Sequence, residues 1–200
     1  MKLLLTGGCI LLVALAIAIL NYPVDTQEPY SENLSYTGLV VDEKSDLRYW
    51  SHMPLTYNYS NEDECYPLRI NRTEWALNEI EKLTESQVSF VHTEGKADIS
   101  FVCSKNSLVN LADRTETLGE AEVEYSLRSP RIMSAKIYLY SGIPQGCDYP
   151  DVEIHEILHA FGEKHNTHPQ SVMNVVQWRC LKGINTSVDG VIFDRLKYTY

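Results

Sequence analysis

The sequence predicts one α+β domain over residues 51–200, and three observations carry that prediction. Short runs rich in β-branched and aromatic residues, Leu55–Tyr59, Val88–His92, Asp98–Cys103 and Ile132–Tyr140, have the length and alternation of strands. From Asn71 to Glu85, Ala76, Leu77, Ile80 and Leu83 recur at helical spacing beneath a charged face. Two more helical segments follow the last strand, so the layers are segregated along the chain and do not alternate.

Each element follows from local chemistry. Leu3 to Leu20 is almost wholly apolar, with Lys2 before it and Asp25 and Glu28 after it, a charge order that keeps the N-terminus in the cytoplasm and sends the rest outside. Residues 1–20 are therefore a membrane anchor or a signal peptide, and the polar, proline-containing residues 21–50 are a stalk. Pro54 and a polar loop bound the first strand, and Asn71 has the chemistry of a cap for the helix after it. Residues 105 to 118 read as a loop. On the strand Ile132–Tyr140, Ala135, Ile137 and Leu139 share one face. Gly142, Pro144, Gly146 and Pro150 then lead into a helix that Asp151 would cap. Ser187 or Asp189 starts a last helix carrying Val191, Ile192, Leu196 and Tyr198.

The helix that Asp151 opens carries the chemistry. At 100° per residue, His155 and His159 stand one turn apart on one face, which fixes two metal ligands by backbone geometry. Glu156 flanks the metal without having to bind it, which suits a base acting on water there. Gly162 can take the left-handed conformation that ends a helix, turning the chain so that His165 returns to the same ion. Three imidazoles with a fourth position open is the donor set of a catalytic zinc, held at about 2.0–2.1 Å.

His155, Glu156, His159, Gly162 and His165 match the H-E-x-x-H-x-x-G-x-x-H signature, and Ser171-Val172-Met173-Asn174 is similar to a Met-turn, so the chain resembles the metzincin metallopeptidases. Within them it most resembles the matrixins, through Pro169 and Met173 after the third histidine, although Asn166 stands where matrixins usually have serine. Val175 stands where astacins and serralysins have a tyrosine, so no tyrosine ligand is expected. The resemblance implies a zincin-like domain: a twisted mixed β-sheet with an upper helix, an active-site helix and a C-terminal helix. It implies that Met173 lies beneath the metal as an apolar base. It also implies that Leu118–Val123, with Gly119 and Ala121, is an edge strand along which an extended peptide substrate adds. Residues 105 to 118 lack the pattern by which matrixins hold structural zinc and calcium, and no P-R-C-G-type prodomain motif occurs, so one catalytic zinc is expected and no others.

With 17 basic and 27 acidic residues the formal charge is −10, which argues against a nucleic-acid partner. Cys65, Cys103, Cys147 and Cys180 remain for the exported part and suggest two disulfides, for which three pairings are possible. Pairing sequence neighbours would staple each half of the domain, and Cys147 with Cys180 would tie the start of the zinc helix to the segment beyond the Met-turn. Asn33, Asn58, Asn71 and Asn185 begin glycosylation sequons. His52, His92 and His168 stay outside the ligand set, with His168 close enough in sequence to support it. The expected protein is a monomeric zinc endopeptidase, secreted or held at the outer face of the cell membrane and acting on extracellular proteins, in which Glu156 serves as general base and then acid. A catalytically inactive zincin-fold binding module, and a zinc hydrolase of a specific non-peptide amide, are the alternatives.

Overall fold

The computed structural model describes residues 48–60, 64–104, 108–110, 115–140, 147–174 and 181–200. The expected anchor at residues 1–20 and most of the stalk lie outside the described residues, as do Gly142, Pro144, Gly146, Val175 and Cys180. Among the described residues no helix is long and apolar enough to cross a membrane.

Among the described residues ten elements follow in chain order: β1 (Leu55–Tyr59), α1 (Pro67–Leu83), β2 (Phe90–His92), β3 (Ile99–Ser104), β4 (Leu108–Asn110), β5 (Thr115–Thr117), β6 (Gly119–Tyr125), β7 (Ile132–Tyr140), α2 (Asp151–His159) and α3 (Thr186–Thr199). They form an α+β domain around a five-stranded sheet of order β2-β1-β3-β7-β6. The pairs β1–β2, β1–β3 and β3–β7 are parallel, and β6 joins β7 antiparallel, which leaves β6 on the edge. Burial alternates along β3, where Ile99, Phe101 and Cys103 are buried and the residues between them are not. One face of the sheet therefore holds the core, where Leu55, Ala135, Ile137 and Leu139 meet Ala76, Leu77 and Ile80 of α1 and Ile154, Ile157 and Leu158 of α2.

The core also holds charge. Arg69 and Arg72 of α1 converge on the fully buried Glu153 of α2, with Arg69 Nη1 at 2.5 Å and Arg72 Nε at 2.9 Å from Oε1, and Arg72 Nη2 at 3.1 Å from Oε2. Backbone carbonyls accept further donors: Tyr140 from Arg69, and Cys147 at 2.6 Å, Asp148 at 2.9 Å and Tyr149 at 2.8 Å from Arg72. Pairing of the charges, with further bonds to backbone carbonyls, is what makes such a buried cluster tolerable. It also holds the segment leading into α2 against α1.

Several boundaries differ from the local reading. Helix α1 starts at Pro67, because proline suits a first turn where its missing N–H costs nothing, so Asn71 lies inside the helix and does not cap it. Asp151 is the first residue of α2; its Oδ1 accepts from Val152 N at 3.0 Å and its Oδ2 from Leu181 N at 3.2 Å, tying the helix start to the later chain. Residues 108–110 and 115–117, expected as loop, pair as a short antiparallel hairpin. Helix α3 is capped by Asn185, and packing turns Ile192, Phe193 and Leu196 inward while Val191 and Tyr198 face solvent. Tyr49, expected in the stalk, bridges to Arg131, and Trp50 is buried, its Nε1 donating to Ala160 O at 3.1 Å. Cys65 and Cys103 are joined by a disulfide with Cα atoms 5.1 Å apart.

Candidate metal centre

Every residue of α2 up to Leu158 is buried, so the helix crosses the core with its last turn opening into a cleft. Beyond His159 the chain closes the helix with paired bonds, Glu163 N to Leu158 O at 3.2 Å and Gly162 N to His159 O at 2.9 Å, around Gly162 at φ +84°. This is the glycine-ended helix cap, and a side chain there would also meet Arg48 Cβ at 3.1 Å. After the turn, Asn166 N donates to Met173 O at 2.8 Å, laying the chain that carries His165 beside the loop 171–174.

The turn brings the three predicted histidines together. Their Nε2 atoms form a triangle with sides of 3.0 Å (His155–His165), 3.0 Å (His155–His159) and 3.1 Å (His159–His165). Two of the rings have their other nitrogen fixed. His155 Nδ1 lies 2.7 Å from Val172 O and His159 Nδ1 lies 2.6 Å from Glu163 O. A carbonyl only accepts, so both Nδ1 atoms carry the proton and both Nε2 atoms turn a lone pair to the centre of the triangle. Burial, reinforced by the neighbouring imidazoles, pushes the pKa of His155 down to about 4 and that of His159 to about 4. Nitrogens converging in this way could hold a cation between them. Atoms about 3 Å apart can share one ion at the roughly 2.0–2.1 Å that imidazole nitrogen keeps from zinc. Among the described residues this is the group able to hold a metal, and its donor set fits one.

The supporting loop is itself supported. Met173 is fully buried and its N–H donates to Ser171 Oγ at 3.0 Å. Asp189 of α3, also fully buried, accepts from Ser171 Oγ at 2.5 Å and from Val172 N at 2.9 Å. Asp189 thereby fixes the residue whose carbonyl orients His155.

Glu156 is buried, and its carboxylate occupies the space beside Gly119, where an added Cβ would stand 2.6 Å from Glu156 Cγ and 2.8 Å from Oε1. Burial, with the charges of Glu120 and Glu153 adding to it, raises its pKa to about 8. Gly119, Ala121 and Val123 of the edge strand face Glu156, His159 and His165 across a cleft of about 420 Å³. Glu120 also lines this cleft, and its carboxylate accepts from Tyr140 Oη at 3.1 Å.

The remaining candidates lie elsewhere. His52 bonds Asp98 at 3.2 Å, His92 packs on the Tyr57 ring, and His168 Nδ1 accepts from Gln170 N at 3.2 Å within the loop after His165. Cys147 is disulfide-bonded, and Cys180 lies outside the described residues. Sequence reasoning missed the carbonyls of Val172 and Glu163, which carry no side-chain signal, and the roles of Asp189 and Glu153, which depend on partners distant in sequence. Compared with known proteins, the chain matches no family model and no curated protein.

Proposed function

We propose that the chain is an exported zinc-dependent endopeptidase of the metzincin type, similar to matrixins, acting on extended segments of extracellular proteins. The observation that carries this reading is the convergence of three Nε2 atoms, within 3.1 Å of one another, at the wall of a cleft that also holds a buried carboxylate. His155, His159 and His165 would hold zinc, which when bound supplies a Lewis acid that polarises a scissile carbonyl and acidifies water. Glu156 takes the proton from the attacking water and delivers it to the leaving amine, and its raised pKa suits a group that must hold that proton between the two transfers. Edge strand β6 offers unpaired backbone N–H and C=O groups to an extended peptide, so affinity comes largely from main-chain bonds. The disulfide between Cys65 and Cys103 supports an oxidising compartment outside the cytoplasm.

Incubating the protein with a peptide library, with and without a chelator, tests the reading. Chelator-sensitive cleavage is expected, and Glu156→Ala should keep its metal while losing about 10²–10⁴-fold in rate. A zinc-loaded protein that cleaves no peptide, or an equally active Glu156→Ala, would sink the proposal in favour of a binding module or a different hydrolase.

A further inference from the structure

We propose that Asn71 carries an N-linked glycan that covers the apolar outer side of α1. Four sequons begin at Asn33, Asn58, Asn71 and Asn185; Asn33 lies outside the described residues, and the structure separates the other three. Asn58 Nδ2 donates to Gly95 O at 2.8 Å and its Oδ1 is buried. Asn185 is committed as the cap of α3: its Oδ1 accepts from Ser187 N at 3.2 Å and Ser187 Oγ at 2.6 Å, and its Nδ2 donates to Gln170 Oε1 at 2.9 Å. Attaching a sugar replaces one Nδ2 hydrogen by a bulky group, which both of these positions would have to fit among existing contacts.

Asn71 differs from both. Its side chain is exposed on α1, and Leu68 and Trp75, three residues before and four after it, are 59% and 43% exposed. Those spacings make the three side chains neighbours on one helical face. The helix cannot rotate to hide the apolar pair, because Arg69, Arg72 and Thr73 fill its opposite side in the core. The C–H face of a hexose packs well on an indole, so an oligosaccharide rooted at Asn71 shields Trp75 and Leu68 from water and from other apolar surfaces.

The co-reactant is a lipid-linked oligosaccharide diphosphate. A bond forms between Asn71 Nδ2 and the sugar's C1, the C1–O bond to the diphosphate breaks, the lipid diphosphate leaves with that electron pair, and the amide gives up one proton. Transfer acts on the chain before it folds, so the burial of Thr73, whose Oγ1 donates to Arg69 O at 2.9 Å in the finished helix, does not prevent it.

The inference rests on the export stated above, not on the peptidase activity, and the test separates the two. The full chain is produced in a eukaryotic secretory host, and glycans are released enzymatically in heavy-oxygen water, which marks each formerly modified asparagine as heavy aspartate. The mark is expected at Asn71, with the gel shift lost in Asn71→Gln while peptide cleavage is unchanged. Removing the glycan should also increase acrylamide quenching of tryptophan fluorescence. Protein with the Cys65–Cys103 bond formed but Asn71 unmarked overturns the assignment. Protein with both cysteines reduced overturns the export and the assignment together, and quenching that glycan removal leaves unchanged overturns the shielding of Trp75.

Discussion

Glu156 and Gly119 define the site at the scale of single residues. The carboxylate fills the volume that any larger residue at position 119 would need. The nearest atoms to an added Cβ belong to a side chain, so Gly119→Ala should displace the carboxylate and not unfold the domain. A misplacement of about 1 Å costs on the order of 10²-fold in rate. The expected result is that loss in kcat/KM for a peptide substrate, with metal content and Tm unchanged; a lower Tm with normal turnover would contradict it. The same carboxylate makes the metal-free domain sensitive to pH. Its pKa is raised from an ordinary 4.5 to about 8 in the fold. Between those values the folded state binds a proton that the unfolded chain lacks, so its contribution to stability is present below 4.5 and is lost as pH rises through 8. His155 and His159 act oppositely: with values lowered from 6.5 to about 4, their contribution is present above 6.5 and is lost as pH falls through 4. Glu156→Gln should therefore gain stability over the wild-type apoprotein progressively from pH 4.5 to 8, as read from denaturant midpoints. A difference independent of pH would show that the carboxylate is not buried as described.

At the scale of elements, the placement of the three clustered histidines depends on how α1, α2 and α3 are held. Glu153 joins α2 to α1 through two arginines, and removing its charge would leave both guanidinium groups buried without it. Breaking a buried pair of this kind costs about 3–5 kcal/mol, so Glu153→Gln should lower the unfolding free energy by that order in urea titrations. Asp189 joins α3 to the loop whose Val172 carbonyl orients His155. Groups that orient a ligand typically contribute 10–100-fold in metal affinity, so if the cluster holds the proposed zinc, Asp189→Ala should release it to a competing chelator at a concentration lower by about that factor. Retention of wild-type affinity would make the Asp189 contact one of fold stability alone.

At the scale of the whole molecule, the disulfide between Cys65, before α1, and Cys103 on β3 is a covalent crosslink, and a metal held by the histidine cluster would add another between α2 and the chain carrying His165. The disulfide closes a loop with a sequence separation of 38 residues, and replacing both cysteines by serine should cost about 2–4 kcal/mol. That loss should appear equally with and without chelator, since neither cysteine belongs to the histidine cluster.

The sequence by itself determined the features whose cause is local. One-turn spacing put His155 and His159 on one face, Gly162 adopted the left-handed conformation that its missing Cβ permits, and alternation marked β1 and β7 to the residue. Periodicity also marked the buried positions Ala76, Leu77 and Ile80, though the start of α1 was set by Pro67 and not by the apolar pattern. Only the tertiary structure decided what depends on distant partners. Two arginines on a helix read as solvated surface until Glu153 is brought against them, and Asp189 reads as a helix start until Ser171 and Val172 approach it. The rotation of α3, which buries Phe193 and exposes Val191, follows from packing because neighbouring apolar residues on a helix differ by only about 100°. The meeting of Gly119 with Glu156 is of the same kind: a glycine on an edge strand is featureless until the fold carries a carboxylate into the space its side chain would fill.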